Sequence, residues 1–318
     1  MEEKIIELLN KQQGYFSGEE LSQSLGVSRQ ALWKHIQYLK ELGFDIAAVP
    51  HLGYRLVSAP DRLYDFQVYQ GLKTKDFGRK ILYFDSLIST MDMATQLALK
   101  EAAEGTIVLA EAQTKGRGRL GRVWHSPKYK GLYFSLILRP KISLDKASVI
   151  TLLAGVSICE AIKESCALDM QIKWPNDIII HNKKLGGILT EIQAEVDAVN
   201  FIVVGVGLNI NNDKKSLIPG ATSLRQEKGE ELGRLGILQS ILYRLEVNYA
   251  IFQKKGSLAV IEKWRQLALT LGQRIKVYSY KGHIEGEAVD IEADGGLLVR
   301  RDSGLTQKVT AGDIVHCR

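Results

Sequence analysis

Cysteine is scarce in this 318-residue chain, and Cys159, Cys166 and Cys317 form neither a C-x-x-C pair nor any metal-ligand spacing. That excludes a disulfide framework and a zinc site built on paired thiolates, and leaves the three as reduced, structural residues. The six histidines form no H-x-x-x-H or H-E-x-x-H cluster, so metalloprotease chemistry has no signature here. The longest mainly apolar run, "VITLLAGVSICEAI", falls short of the roughly 20 residues that a membrane span needs. The stretch "MEEKIIELLNKQQG" is acidic and amphipathic, unlike a secretory signal, so a cytoplasmic protein without membrane contact is expected. With 45% hydrophobic and 25% charged residues, the composition is that of an ordinary globular protein long enough for two or three domains.

The formal charge of +6 points to anionic partners, and its distribution says more than its sum. Residues 115–130 carry six Lys or Arg and no acid. Within them "TKGRGRLGRVW" places Gly116, Gly118 and Gly121 at the G-x-G-x-x-G spacing of a dinucleotide loop. Such a loop needs a strand before it and a helix after it. The strand is there in "GTIVLAEAQ", but "VWHSPKYKGLYFSLILRP" reads as a turn and a second strand. The Rossmann reading therefore fails. Arginines alternating with glycines, followed by Trp124, His125 and Tyr129, read either as a solvated face or as an anion trap whose backbone can approach a ligand.

Residues 1–58 read as a winged helix-turn-helix. A first helix carries Ile5, Ile6, Leu8 and Leu9; an S-x-x-E capping box at Ser17 and Glu20 opens a second, and Gly26 turns the chain. A third helix begins at Ser28, buries Leu32, Ile36, Leu39 and Leu42, and ends at Gly43. Its outer face presents Arg29, Gln30, Lys34 and Gln37, side chains that reach base edges and phosphates in a major groove. "FDIAAVPHLGYRLV" then alternates as a two-stranded wing. The segment holds seven acids and six Lys or Arg, which favours a helical docking domain as the alternative, but the third helix has no acid before Glu41. Residues 59–77, opening with "APDRLYDF", read as a linker. Residues 78–271 mix hairpin strands with a few helices on one side, an α+β mixed-sheet domain and not a doubly wound one. Residues 272–318 are short strands between Gly and Asp turns, as in a small SH3-like β-barrel.

Three further stretches of the middle domain set polar clusters at strand ends: "KWPNDIII", "KKLGGILTE" and "VGVGLNINN". Lys173, Asn176 and Asp177 surround a proline, and their plain reading is hairpin capping. Lys184 precedes two glycines, and Asn209 follows two glycines in an apolar strand, where its amide must find buried partners or a ligand. Together with the Arg/Gly loop they describe a pocket rich in cations and nearly free of nucleophiles.

In this order, behind a winged helix and before a small barrel, "GRGRLGRVW", "KWPNDIII", "KLGGILTE" and "GVGLNIN" resemble the bifunctional biotin–protein ligase and biotin operon repressor family, over essentially the whole chain. The resemblance implies a central domain of the biotin/lipoate ligase type. It implies that biotin and ATP form biotinyl-5′-adenylate and pyrophosphate, and that biotin then passes to one lysine of a biotin carboxyl carrier protein, as in biotin–[acetyl-CoA-carboxylase] ligase. A carboxylate must meet an α-phosphate, so two anions need neutralising and no enzyme nucleophile is required.

Residue by residue, Lys184 resembles the lysine that contacts both the biotin carboxylate and the α-phosphate. Arg117, Arg119 and Arg122 would line the phosphates and close the loop over the intermediate. Lys184, Arg119 and Arg122 would thus carry the catalysis, and Trp124 would stack on adenine. Ser89, Thr90 and Gln113 resemble contacts to the biotin head, with Gly116 and Gly118 giving backbone access. Asn176 and Asn209 fit the nucleotide side, and Met91 and Lys173 are further candidate cofactor contacts. Mg2+ would bridge phosphates, with Asp177 a candidate ligand or a group behind one. Met91 and Asp92 depart from the family, which has Asn directly after the "ST" pair. On the DNA side, Ser28, Arg29, Gln30, Lys34 and Gln37 would bind operator DNA, with a homodimer assembled through the central domain supplying two half-sites. Lipoate or octanoate ligation and a purely biotin-sensing repressor are the alternatives. The "GRGR" loop with the winged helix favours biotin, and the full set of Lys184 and arginines favours catalysis.

Overall fold

Ile5, Ile6 and Leu9 of α1 (Glu2–Lys11), Leu21 of α2 (Gly18–Leu25) and Leu32, Ile36 and Leu39 of α3 (Arg29–Glu41) recur at helical spacing, and in the computed structural model they meet in one core. The structure describes residues 1–12, 14–195, 198–279 and 282–316; Cys317, expected to be structural, lies outside them. The chain divides into two units, residues 1–71 and 72–318. In the first, Ser17 caps α2 by accepting from the Glu19 N–H, one residue earlier than the expected capping box with Glu20. Gly26 closes α2 in the left-handed conformation, and Ser28 caps α3 by accepting from Ala31. The wing is an antiparallel hairpin of β1 (Asp45–Val49) and β2 (Gly53–Ser58). The stretch expected as a linker contains α4 (Asp65–Gly71), with Leu63 and Val68 buried and Tyr64 and Phe66 stacked beside Phe44. Its aromatic residues have apolar area to bury, which a free linker does not.

The second unit is built on seven strands. In chain order its elements are β3 (Ile81–Phe84), α5 (Thr90–Leu99), β4 (Ile107–Ala110), β5 (Gly131–Leu138), α6 (Ser148–Cys166), β6 (Gln171–Lys173), β7 (Asp177–Ile180), β8 (Lys183–Glu195) and β9 (Ala198–Asn209). The helices α7 (Leu224–Lys228), α8 (Arg234–Lys255) and α9 (Leu258–Leu267) follow. The sheet order is β3-β4-β5-β9-β8-β7-β6, with β3 and β4 parallel and every other neighbour antiparallel. Register separates its faces: Leu189 pairs with Gly205, Thr190 with Val204. Met91 of α5 lies over Gly205, whereas Thr151 of α6 meets Thr190 Oγ1 at 2.8 Å on the opposite face. Helices therefore cover both faces, not the single side expected. α6 has apolar residues all round because α8 and α9 pack on it from behind: Asn248 Nδ2 donates to Ser157 Oγ at 3.0 Å and Lys263 pairs with Glu160 at 2.8 Å. Among the described residues, no helix is long and apolar enough to cross a membrane.

A five-stranded antiparallel sheet completes the unit: β10 (Arg274–Ser279), β11 (Gly282–Ile291), β12 (Leu297–Arg300), β13 (Thr306–Val309) and β14 (Asp313–His316), in the order β13-β12-β11-β10-β14. Its core holds Ile275, Val277, Ala288, Leu297 and Val299. No ladder between β13 and β14 closes it into a barrel among the described residues. The last expected strand is two, because the chain breaks at residues 310–312 and returns along β10.

Behind the main sheet sits an ion pair. Arg234, at the start of α8, donates to Glu111 Oε2 at 2.6 Å and to the Gly131 carbonyl at 3.1 Å, and both charged side chains are fully buried. Each charge is offset there chiefly by the other. Arg234→Met should therefore cost about 3–5 kcal/mol of stability, and Arg234→Met with Glu111→Met should recover much of it. Denaturant unfolding of the two variants checks this; equal losses would mean that the pair is not coupled.

Candidate active site

On the α5 face of the sheet a row of side chains is missing. Gly187 of β8 pairs directly with Gly207 of β9, and Gly205 lies two residues along on the same face. A Cβ at Gly207 would sit 2.5 Å from the Cε2 and Nε1 atoms of Trp124, and one at Gly205 would collide with Met91 Sδ. Both side chains thus rest on bare backbone. Lys184 reaches this face through a bulge. Ile178 pairs with Gly186 and Ile179 with Lys184, so Leu185 is the extra residue. Simple alternation would put Lys184 and Gly187 on opposite faces; the bulge re-aims the lysine over Gly187. There its Nζ donates to Asp177 Oδ1 at 2.6 Å and stands 5.8 Å from the Trp124 ring centroid.

One end of the resulting cavity, about 320 Å³, is a buried polar chain. Ser89 caps α5, and the Thr90 N–H and hydroxyl both donate to Gln113 Oε1, at 2.8 and 3.1 Å. Gln113 Nε2 donates to Ser126 Oγ at 3.0 Å, and Ser135 donates to Thr90 Oγ1 at 2.9 Å. The Arg/Gly loop folds back over this end, Trp124 N donating to the Gly116 carbonyl at 2.9 Å and Gly118 N to that of Arg122 at 2.7 Å. A side chain at Gly116 would strike the Trp124 carbonyl. No helix follows the glycines; residues 119–121 make a single 3-10 turn.

The three arginines of the loop have different partners. Arg117 is clamped between Asp92 Oδ1 at 2.9 Å and Glu191 Oε1 at 2.7 Å, which accounts for the unexpected aspartate after Met91. Arg122 pairs with Asp313 of β14. Arg119 Nη1 donates to Asn176 Oδ1 at 3.2 Å and to the Gly312 carbonyl at 3.4 Å. Burial pushes the Arg119 guanidinium pKa down, against the opposing pull of Asp313 and Asp177. Asn176 Nδ2 holds the Ile188 carbonyl at 2.7 Å, and Asn209 Nδ2 that of Thr222 at 3.0 Å. Lys173 lies apart: it lines an adjoining cavity, shared with Tyr278 and β14, instead of the main one.

Sequence reasoning missed Glu191, Ser126, Ser135, Gly312 and Asp313. The first and the last two carry no local signal, since each meets the loop from a part of the chain distant in sequence. Among the described residues no group of three or more His, Cys, Asp or Glu could hold a metal ion, and Asp177 is already paired with Lys184. On α3, Gln30 and Lys34 are exposed and Gln37 is half-buried, while Arg29 pairs with Glu19 at 2.5 Å and Ser28 is occupied as a cap. Trp33 and Tyr38, which the helical spacing did not single out, are also exposed on this helix.

Among the described residues, no histidine or cysteine lines the main cavity. A pocket of cations and amides over bare sheet, in a chain that also carries a winged helix-turn-helix, defines a class: a group-activating enzyme for anionic ligands joined to a DNA-binding module. The family model "Biotin/lipoate A/B protein ligase family" matches residues 83–209, "HTH domain" matches residues 2–55, and "Biotin protein ligase C terminal domain" matches residues 270–317. The chain is 41% identical to the bifunctional ligase/repressor BirA of Bacillus subtilis (strain 168), over 98% of this chain and 97% of that one. It is 30% identical to the BirA of Escherichia coli (strain K12), over 98% and 95%. The biotin protein ligase of Aquifex aeolicus, solved in complex with biotin and ATP, aligns with a TM-score of 0.65 and 30% identity, over 76% of this chain and 99% of that one. The chain belongs to the bifunctional biotin–protein ligase/repressor family.

Gly207→Ala tests the bare floor. The added methyl must displace Trp124, so ligand affinity should fall by on the order of 100-fold while the sheet stays folded. Trp124-dependent fluorescence and calorimetric binding of ATP check it; unchanged binding would separate Trp124 from the pocket.

Proposed function

We propose that the main cavity binds biotin beside ATP and joins them, and that Lys184 is the central cation of the reaction. The observation that carries this is Lys184 Nζ, bulged onto the bare face, 2.6 Å from Asp177 and beside Trp124. A biotin carboxylate oxygen attacks the α-phosphorus of ATP, the bond to the β-phosphate oxygen breaks, and pyrophosphate leaves. A carrier-protein lysine then attacks the acyl carbon, and AMP leaves. Both steps need charge neutralised at one phosphate, which positioned cations supply without reorganisation.

The biotin head is assigned to the end formed by Ser89, Thr90, Met91 and Gln113, with backbone access at Gly116 and Gly118. Adenine is assigned to the Trp124 and Asn209 side, and the phosphates to Lys184, Arg119 and Arg122 with Asn176. Arg117, clamped by Asp92 and Glu191, serves better as the anchor of the loop than as a phosphate ligand. Lys173 reaches only the adjoining cavity and would act on the outer phosphates. Magnesium enters as the ATP complex. Because Asp177 is the partner of Lys184, it would meet the ion only after the lysine turns to the phosphate. Lipoate chemistry is disfavoured by the match to a biotin ligase C-terminal domain beside the HTH domain.

Lys184→Gln should slow adenylation by roughly 10²–10³-fold with folding intact. Pyrophosphate release from ATP with biotin, and with lipoate as the control, measures it; an undiminished rate would reduce Lys184 to a surface charge.

For the winged helix the proposed ligand is operator DNA, contacted by Ser28, Arg29, Gln30, Lys34 and Gln37. One module with so few cations grips DNA weakly, because affinity depends on the number of phosphates neutralised. A homodimer would supply two modules, and loop closure over biotinyl-5′-adenylate would favour its assembly, with unmodified carrier drawing the adenylate away. An operator fragment titrated with protein alone, with biotin, and with biotin plus ATP should be bound tightest in the last case. Equal affinity in all three would leave the ligase chemistry standing and defeat the coupling.

A further inference from the structure

Between β9 and α7 the chain forms a wall of the pocket. Ser216, Leu217, Ile218 and Ala221 enclose a small cavity of about 40 Å³ with Trp124 and Lys184. Little in the wall itself holds it there, since Lys214 and Lys215 are exposed and Ile218 is more than half exposed. The hold comes from fully buried Thr222. Its N–H donates to the Lys184 carbonyl at 2.9 Å, its carbonyl accepts from Asn209 Nδ2 at 3.0 Å, and its hydroxyl donates to Glu227 Oε1 at 2.5 Å. Two residues earlier, the Gly220 carbonyl accepts from Lys184 N at 2.9 Å. The backbone of the central lysine is thus bracketed on both sides by the wall.

Glu227 of α7 joins this wall to the β7–β8 hairpin. Its carboxylate also meets His181 Nδ1 at 2.7 Å and Lys183 Nζ at 3.3 Å, and only 8% of its side chain is exposed. Burial pushes the Glu227 carboxyl up, but the hydrogen bonds from Thr222, His181 and Lys183 outweigh it and hold the group below the usual carboxylate range. Two adjacent lysines are also parted by two acids: Lys183 goes to Glu227, and Lys184 to Asp177. A neutral amide in place of Glu227 would keep the shape but lose the charge that gathers three donors.

We propose that Glu227 is a positioning residue for the nucleotide subsite: through Thr222 it fixes residues 216–222 against β8, and so aligns Lys184 with the wall that faces Trp124. This rests on the assignment of that side of the pocket to ATP. The biotin-head end, built on Thr90 and Gln113, has no bond to the cluster among those described and should respond to it far less than the nucleotide side.

The test is Glu227→Gln, with Thr222→Val as a second variant that removes the hydroxyl donor and keeps the side-chain volume. Pyrophosphate release is measured over a range of ATP and of biotin, together with calorimetric binding of biotin alone and thermal unfolding. Both variants should raise KM for ATP by about 10- to 100-fold and weaken biotin binding far less, since only its carboxylate end faces Lys184. Thr222→Ser, which restores the hydroxyl, should recover most of the loss. An unchanged KM for ATP in both variants would overturn the proposal. So would an equal weakening of biotin and ATP, the mark of general destabilisation. If the parent protein releases no pyrophosphate from ATP and biotin, the assignment of the pocket itself fails, an outcome separate from either of these.

Discussion

The pocket exists because one face of the central sheet has no side chains where β8 and β9 run together. Gly187 and Gly207 are paired and Gly205 is next in line, so Trp124 and Met91 lie against backbone and the space above is open. With a side chain at any of the three positions the sheet would be as well hydrogen-bonded but filled. The same gap lets Lys184, turned inward by the bulge at Leu185, place its ammonium over Gly187 without climbing past a neighbour. Floor, aromatic wall and central cation therefore depend on a single local constraint of strand register.

A second layer of organisation is electrostatic. The Arg/Gly loop has no acid of its own, and four acids from elsewhere meet three of the cations around the cavity: Asp92 and Glu191 hold Arg117, Asp313 holds Arg122, and Asp177 holds Lys184. Arg119 differs, because the oxygens it contacts belong to an amide and a backbone carbonyl. A bound anion meets it without evicting a carboxylate, whereas at Arg122 and Lys184 it must compete. Both pairs are open to solvent on at least one side, so each carboxylate contact contributes little net energy and a phosphate can replace it. Such exchange suits a site that must bind, react and release.

Much of this architecture is legible in the amino-acid sequence. Leu32, Ile36 and Leu39 define α3 by spacing alone, and the failed G-x-G-x-x-G context correctly denies the loop a helix. Lys184, Trp124, Asn176 and Gln113 all line the main cavity. Other features are not legible, for identifiable reasons. α6 is buried all round, so its residues carry no stripe to say which face of the sheet it covers. Residues 59–77 look like a linker because Pro60 and Asp61 open them, yet Tyr64 and Phe66 find a ring to stack on only once Phe44 is in place. Lys173 shares the "KWPNDIII" motif with Asn176, but alternation and the turn send it to the adjoining cavity.

What the sequence determined by itself rests on short-range periodicity and residue chemistry: most of the helices and strands, the caps at Ser17 and Ser28, the concentration of cations between residues 115 and 130, and the glycines that leave the sheet bare. What only the tertiary structure decided is which charge meets which. Asp313 lies 191 residues from Arg122, and Arg234 lies 123 from Glu111. Side-chain spacing along a strand or helix is set by the backbone within a few residues, whereas a pair that closes over such a distance is selected by the packing of whole elements.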